Sequence, residues 1–165
     1  MVDRTDAPDR DPRDGRSFVT RAVATGSLAG LATTAAVALS GVREIGSGVA
    51  PINATSHVLW GDEAGATASV DVKHTLPGLL INVGAGVFWA LAYELLLELT
   101  PRRDLAAAVA GGAAIAALAY VIDYHLIPRR LTPGWELRLS RRSVARGFVT
   151  LGVSLGLAGL VRARR

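Results

Sequence analysis

Residues 105–122 read LAAAVAGGAAIAALAYVI, eighteen consecutive residues without a charge. An apolar run of that length spans about 30 Å of hydrocarbon at ~1.5 Å per helical residue. The run extends over 105–127 and meets its first charge at Asp123. Three others resemble it. Residues 22–42 carry no charge, residues 76–99 are interrupted only by Asn82, Glu94 and Glu98, and residues 143–161 contain Arg146 near the start, with Arg162 just beyond. The expected fold is an all-α polytopic membrane protein, with four transmembrane helices bundled within residues 18–165. Residues 1–17 alternate Asp and Arg around Pro8 and Pro12, which reads as a disordered charged tail. That tail is too acidic, and the apolar run after it too long, for a secretory signal peptide.

Small residues sharpen the picture. All seven prolines lie at or outside the span ends, where a missing N–H costs little, whereas 12 of the 18 glycines fall inside the spans. Glycine weakens a helix in water but lets membrane helices approach closely. Gly26-Ser-Leu-Ala-Gly30 and Gly152-Val-Ser-Leu-Gly156 are both GxxxG patterns, suited to packing within the monomer or to a face that meets another subunit. Outside the spans, Pro51 to Trp60 reads as a short loop helix ended by Gly61. Thr132 to Arg142 reads as an interfacial helix, with Trp135 at headgroup level.

The net charge of +4 comes from 17 Arg and one Lys against 14 acidic residues. Arg at helix ends accounts for that balance through contact with lipid headgroups, and no basic stripe interleaved with aromatics points to nucleic acid. Ten basic residues fall on the side of the two termini and eight on the other, a bias that favours cytoplasmic termini. The absence of Cys excludes disulfides and thiolate chemistry.

Function has to be sought among the polar residues. His57, His74 and His125 all fall on one side of a four-span bundle, with Asp123 beside His125. Such a group has the donors for a divalent metal or haem iron. Their spacing matches no metal signature, and Asp123 and His125 stand about 200° apart on a helix. Asn53 and His57 share a helical face. Asn82 and Glu94 are intramembrane polar residues, and such groups mark packing contacts or polar pathways. Glu94 and Glu98 are expected to pair with Arg102 or Arg103 across the Thr100-Pro101 turn. No nucleophile elbow, phosphate loop or dinucleotide fingerprint is present, and the motifs specify no cofactor.

Residues 51–64 (PINATSHVLWGDEA), 74–94 (HTLPGLLINVGAGVFWALAYE) and 123–136 (DYHLIPRRLTPGWE) resemble small four-span bacterial inner-membrane proteins to which no activity is attached. They cover under a third of the chain. The resemblance implies a bacterial inner-membrane location and carries over no functional residue. The preference for Arg over Lys, with abundant Ala and Gly, fits a GC-rich bacterial genome. Three functions are open: a non-enzymatic membrane subunit or scaffold acting through helix packing, a metal- or haem-binding protein using the histidines, and a small oligomeric transporter using Asn82 and Glu94.

Overall fold

The computed structural model describes residues 12–101 and 104–163. No strand occurs among them. The helices are α1 (Pro12–Ile45), α2 (Ala50–Thr55), α3 (His57–Trp60), α4 (Glu63–Ala66), α5 (Thr75–Leu99), α6 (Leu105–Val121) and α7 (Arg141–Ala163). A π turn, Ile122–Leu126, prolongs α6, and two 3-10 turns, Arg129–Leu131 and Trp135–Leu137, lead into α7. Four segments are long and apolar enough to cross a membrane: Ser17–Ile45, Thr75–Leu99, Leu105–Leu126 and Arg141–Arg162. The chain is a multi-pass, all-α membrane protein. Its outward faces carry Leu28, Leu80, Val153 and Leu157, each more than half exposed, as lipid contact requires.

Three sequence expectations change. Residues 12–17, read as the end of a disordered tail, form the first turns of α1; residues 1–11 lie outside the described residues. The loop helix has Pro51 in its first turn and Gly61 (φ +83°) at its end, but it breaks at Ser56 into α2 and α3. There the Ser56 hydroxyl donates to the Asn53 carbonyl at 2.7 Å, taking an acceptor that a continuing helix would use. Finally, Thr132 to Arg142 is no interfacial helix. Gly134 turns the chain with φ +78°, and Trp135, expected as a headgroup anchor, is instead 95% buried against the core. Gly147 of α7 makes room for its ring, since a Cβ there would lie 2.8 Å from Trp135 Cζ3.

α1 is the central helix, packed against both α5 and α7, while α6 lies along α7. Glycine sets both close approaches. A Cβ on Gly30 would sit 2.8 Å from Val83 Cα, and one on Gly86 would sit 2.8 Å from Gly30 Cα. Gly112 of α6 faces Gly152 and Gly156 of α7, and a Cβ on Gly152 would lie 2.9 Å from Ala116 Cβ. α5 and α6 meet near their short connection, where the Tyr93 hydroxyl donates to the Ala108 carbonyl at 3.0 Å. The core fills the space between helices with Trp89, Tyr93, Trp135, Phe148, Leu151 and Leu155.

Gly86→Val is therefore expected to destabilise the bundle by about 2 kcal/mol or more, because the backbones must separate to admit the side chain. Gly84→Ala, two residues away, is expected to be nearly neutral, since a Cβ there meets nothing within 4 Å. Unfolding of the two variants in detergent micelles checks the contrast.

Candidate functional site

The largest concentration of unsatisfied polar groups surrounds an intramembrane cavity of about 440 Å³. One wall is the α5 face that carries Asn82, Ala85 and Trp89 at helical spacing. Thr33 of α1 and Phe148 of α7 form the back, and the segment Leu131–Trp135 covers one end. The π turn supplies the remaining side. Its defining bond, Ile127 N–H to the Ile122 carbonyl at 3.0 Å, admits one residue more than an α turn, and Asp123 lines the cavity.

Three lining residues carry a buried polar atom with no partner among the described residues: Thr33 Oγ1, Asn82 Nδ2 and Trp135 Nε1. Each residue is at least 94% buried. Leaving one such group unpaired costs roughly 1–3 kcal/mol, so native proteins seldom gather several without a use. The Asp123 carboxylate makes no hydrogen bond or ion pair with the described residues. Beside it, Glu136 accepts from the Tyr124 hydroxyl at 2.8 Å and the Thr132 hydroxyl at 2.6 Å, with no cation paired to it among those residues.

The histidines are employed separately. His57 is 99% buried and its Nε2–H donates to the Thr132 carbonyl at 2.9 Å, tying the first loop to the second. Its Nδ1 lies 3.8 Å from Asp62 Oδ1, too far for a hydrogen bond. His74 donates from Nδ1 to Asp71 Oδ2 at 2.8 Å and from its backbone N–H to Asp71 Oδ1 at 2.6 Å. His125 is exposed and stands edge-on to Tyr120. Among the described residues, no three His, Asp or Glu side chains are grouped to hold a metal ion, so His57, His74, Asp123 and His125 are not brought together. Asn53 turns out to organise the first loop. Its amide donates to the Thr67 and Ser69 carbonyls at 3.0 and 2.9 Å, and its carbonyl accepts from Thr75 at 2.7 Å.

The bonds from His74, side chain first and then backbone, hold the Asp71 carboxyl below the usual carboxylate range. A depressed carboxyl stabilises the fold above its unfolded-state value and loses that contribution as pH falls through the lower folded-state value. This corner of the loop therefore loosens only in acid.

At the opposite end of the bundle, Glu94 is 97% buried and accepts from two helices at once. Arg21 Nε of α1 lies 3.1 Å away and Arg162 Nη1 of α7 lies 2.7 Å away. Arg21 also reaches Glu98 at 3.0 Å. The expected partners Arg102 and Arg103 lie outside the described residues. Glu94 is thus a structural clasp between three helices. Gly26, Gly30, Gly152 and Gly156 are likewise engaged inside the monomer, against α5 and α6.

No family model, curated protein or solved structure matches the chain. The sequence singled out Asn82 and Asp123 but missed Thr33 and the inward turn of Trp135. A Thr-Thr pair at 33–34 in an otherwise apolar span was the available signal for the first.

Glu94→Ala is expected to cost about 3 kcal/mol, because it leaves Arg162 without its carboxylate in a largely buried position. Glu98→Ala, on an exposed pair, is expected to cost under about 1 kcal/mol. Comparing the two by unfolding in micelles separates a buried clasp from a surface ion pair.

Proposed function

We propose that this chain is a bacterial inner-membrane protein with cytoplasmic termini that works by holding a small amphiphilic molecule in its intramembrane cavity, without chemistry of its own. One observation carries the proposal: a cavity of about 440 Å³ joins Thr33, Asn82 and Trp135, each with an unpartnered polar atom, to an unpaired Asp123 carboxylate. Binding pockets have this character, a mostly apolar lining with a few convergent polar groups, in the range of about 300–1,000 Å³. The inner-membrane location rests on the sequence resemblance and the orientation on the distribution of Arg. Binding is favoured over partner docking because both GxxxG faces meet helices of the same chain. It is favoured over transport through Glu94 because two guanidinium groups already neutralise that carboxylate.

Native mass spectrometry of protein extracted in mild detergent provides the test. The expected result is a discrete added mass, about one amphiphile per chain, that survives detergent exchange. Gly84→Phe places a ring at the cavity wall without backbone conflict, since a Cβ there is unobstructed, and should abolish that adduct. Wild type and Gly84→Phe carrying the same heterogeneous lipid would refute the proposal.

A further inference from the structure

Given that ligand cavity, on which the argument rests, we infer that the headgroup it takes carries an ammonium nitrogen together with oxygen acceptors, as an amino-headed lipid does, and that Asp123 is the anionic partner of the nitrogen. The two requirements come from different residues. Asp123 and Glu136 are carboxylates with no ion pair among the described residues, while three basic side chains of the same end are engaged elsewhere. Arg129 pairs with Asp62 at 3.2 Å, Arg130 donates to the Val58 and Leu59 carbonyls at 2.9 Å, and Lys73 pairs with Glu63 at 3.2 Å. Glu136 is satisfied by two hydroxyls, which leaves Asp123 as the carboxylate with unused acceptor capacity at the cavity. A carboxylate drawn out of water calls for a counter-charge.

The aromatic lining suits the same group. Trp89, Trp135 and Phe148 border the cavity, and their ring faces attract an ammonium ion, the more so where water is excluded. The oxygen requirement comes from nitrogen donors. Trp135 Nε1 can only donate, and Asn82 Nδ2 likewise, so each is satisfied by an oxygen and not by the ammonium. A simple lipophilic amine answers Asp123 but leaves both donors empty. An anionic headgroup answers the donors but meets Asp123 and Glu136 as like charges. A headgroup bearing both functions satisfies all of them. About 440 Å³ holds such a headgroup and not a whole diacyl lipid. The acyl chain leaves past Gly84, Ala85 and Phe88, which line the cavity and are themselves exposed on α5.

The test titrates the full-length protein in maltoside micelles with lysophosphatidylethanolamine and with lysophosphatidylglycerol of the same acyl chain, reading tryptophan fluorescence. These probes share phosphate, glycerol ester and chain; only the first has an ammonium. The expected result is saturable binding of the ethanolamine lipid at least tenfold tighter than the glycerol lipid. Asp123→Asn should erase the difference by weakening the ethanolamine lipid while the glycerol lipid binds at least as tightly as before, which shows that the variant is folded. Asp123→Glu should restore most of the preference. Equal affinity for both lipids, or a preference that survives Asp123→Asn, would overturn the ammonium assignment. It would leave intact any co-purifying adduct displaced by Gly84→Phe, so the two proposals fail separately. Absence of saturable binding by either probe would also overturn the assignment.

Discussion

Where α1 crosses α5 the two backbones touch, and the rest of the bundle is arranged around that contact. In hydrocarbon there is no hydrophobic force pressing one apolar helix on another, so association depends on packing and on polar groups that find partners. Gly26, Gly30 and Gly86 allow the helices to close until atoms of one main chain meet those of the other. Gly112, Gly152 and Gly156 do the same between α6 and α7. The two tight pairs are joined along the seam of α1 with α7. α5 and α6 contribute less to one another, and the cavity occupies the space between their parts distant from the 100–104 connection.

Polar groups are then divided between the two ends. At one end the loops are stitched by side chains to backbone: Asn53 to Thr67 and Ser69, His57 to Thr132, and Arg130 to the last carbonyls of α3. Glu44, in the last turn of α1, accepts from the Ser140 backbone N–H at 2.8 Å and from the Ser143 hydroxyl at 2.5 Å, fixing the entry to α7. These bonds satisfy loop backbone groups that the helices leave without partners. The histidines belong to this stitching. Burial of His57 serves the joint between two loops, and its Nε2 is already occupied there.

The spans were legible because a bilayer segregates charge so strongly that length and hydropathy suffice. Proline at their margins and glycine within them agreed with that division. Partner choice was not legible: a stripe of small residues announces close approach without saying which helix approaches. The clasp was hidden for a related reason. Arg21 and Arg162 are far from Glu94 in the chain, and only the packing of α1 antiparallel to both α5 and α7 puts the three at one level. The cavity depended on two local departures with weak signatures. Residues 122–126 contain neither Pro nor Gly to announce a π turn. Trp135 follows Pro133-Gly134, a pattern as compatible with a headgroup anchor as with a ring folded back into the core.

The clasp also bears on how the bundle is put together. Arg21 precedes Glu94 by 73 residues and Arg162 follows it by 68. Once α1 and α5 are both in the membrane, that half-built hairpin sets one guanidinium against two carboxylates, Glu94 and Glu98, among the described residues. Arrival of α7 brings Arg162 and evens the count at two against two. Among the described residues, the charge balance of this clasp is thus a property of the finished bundle.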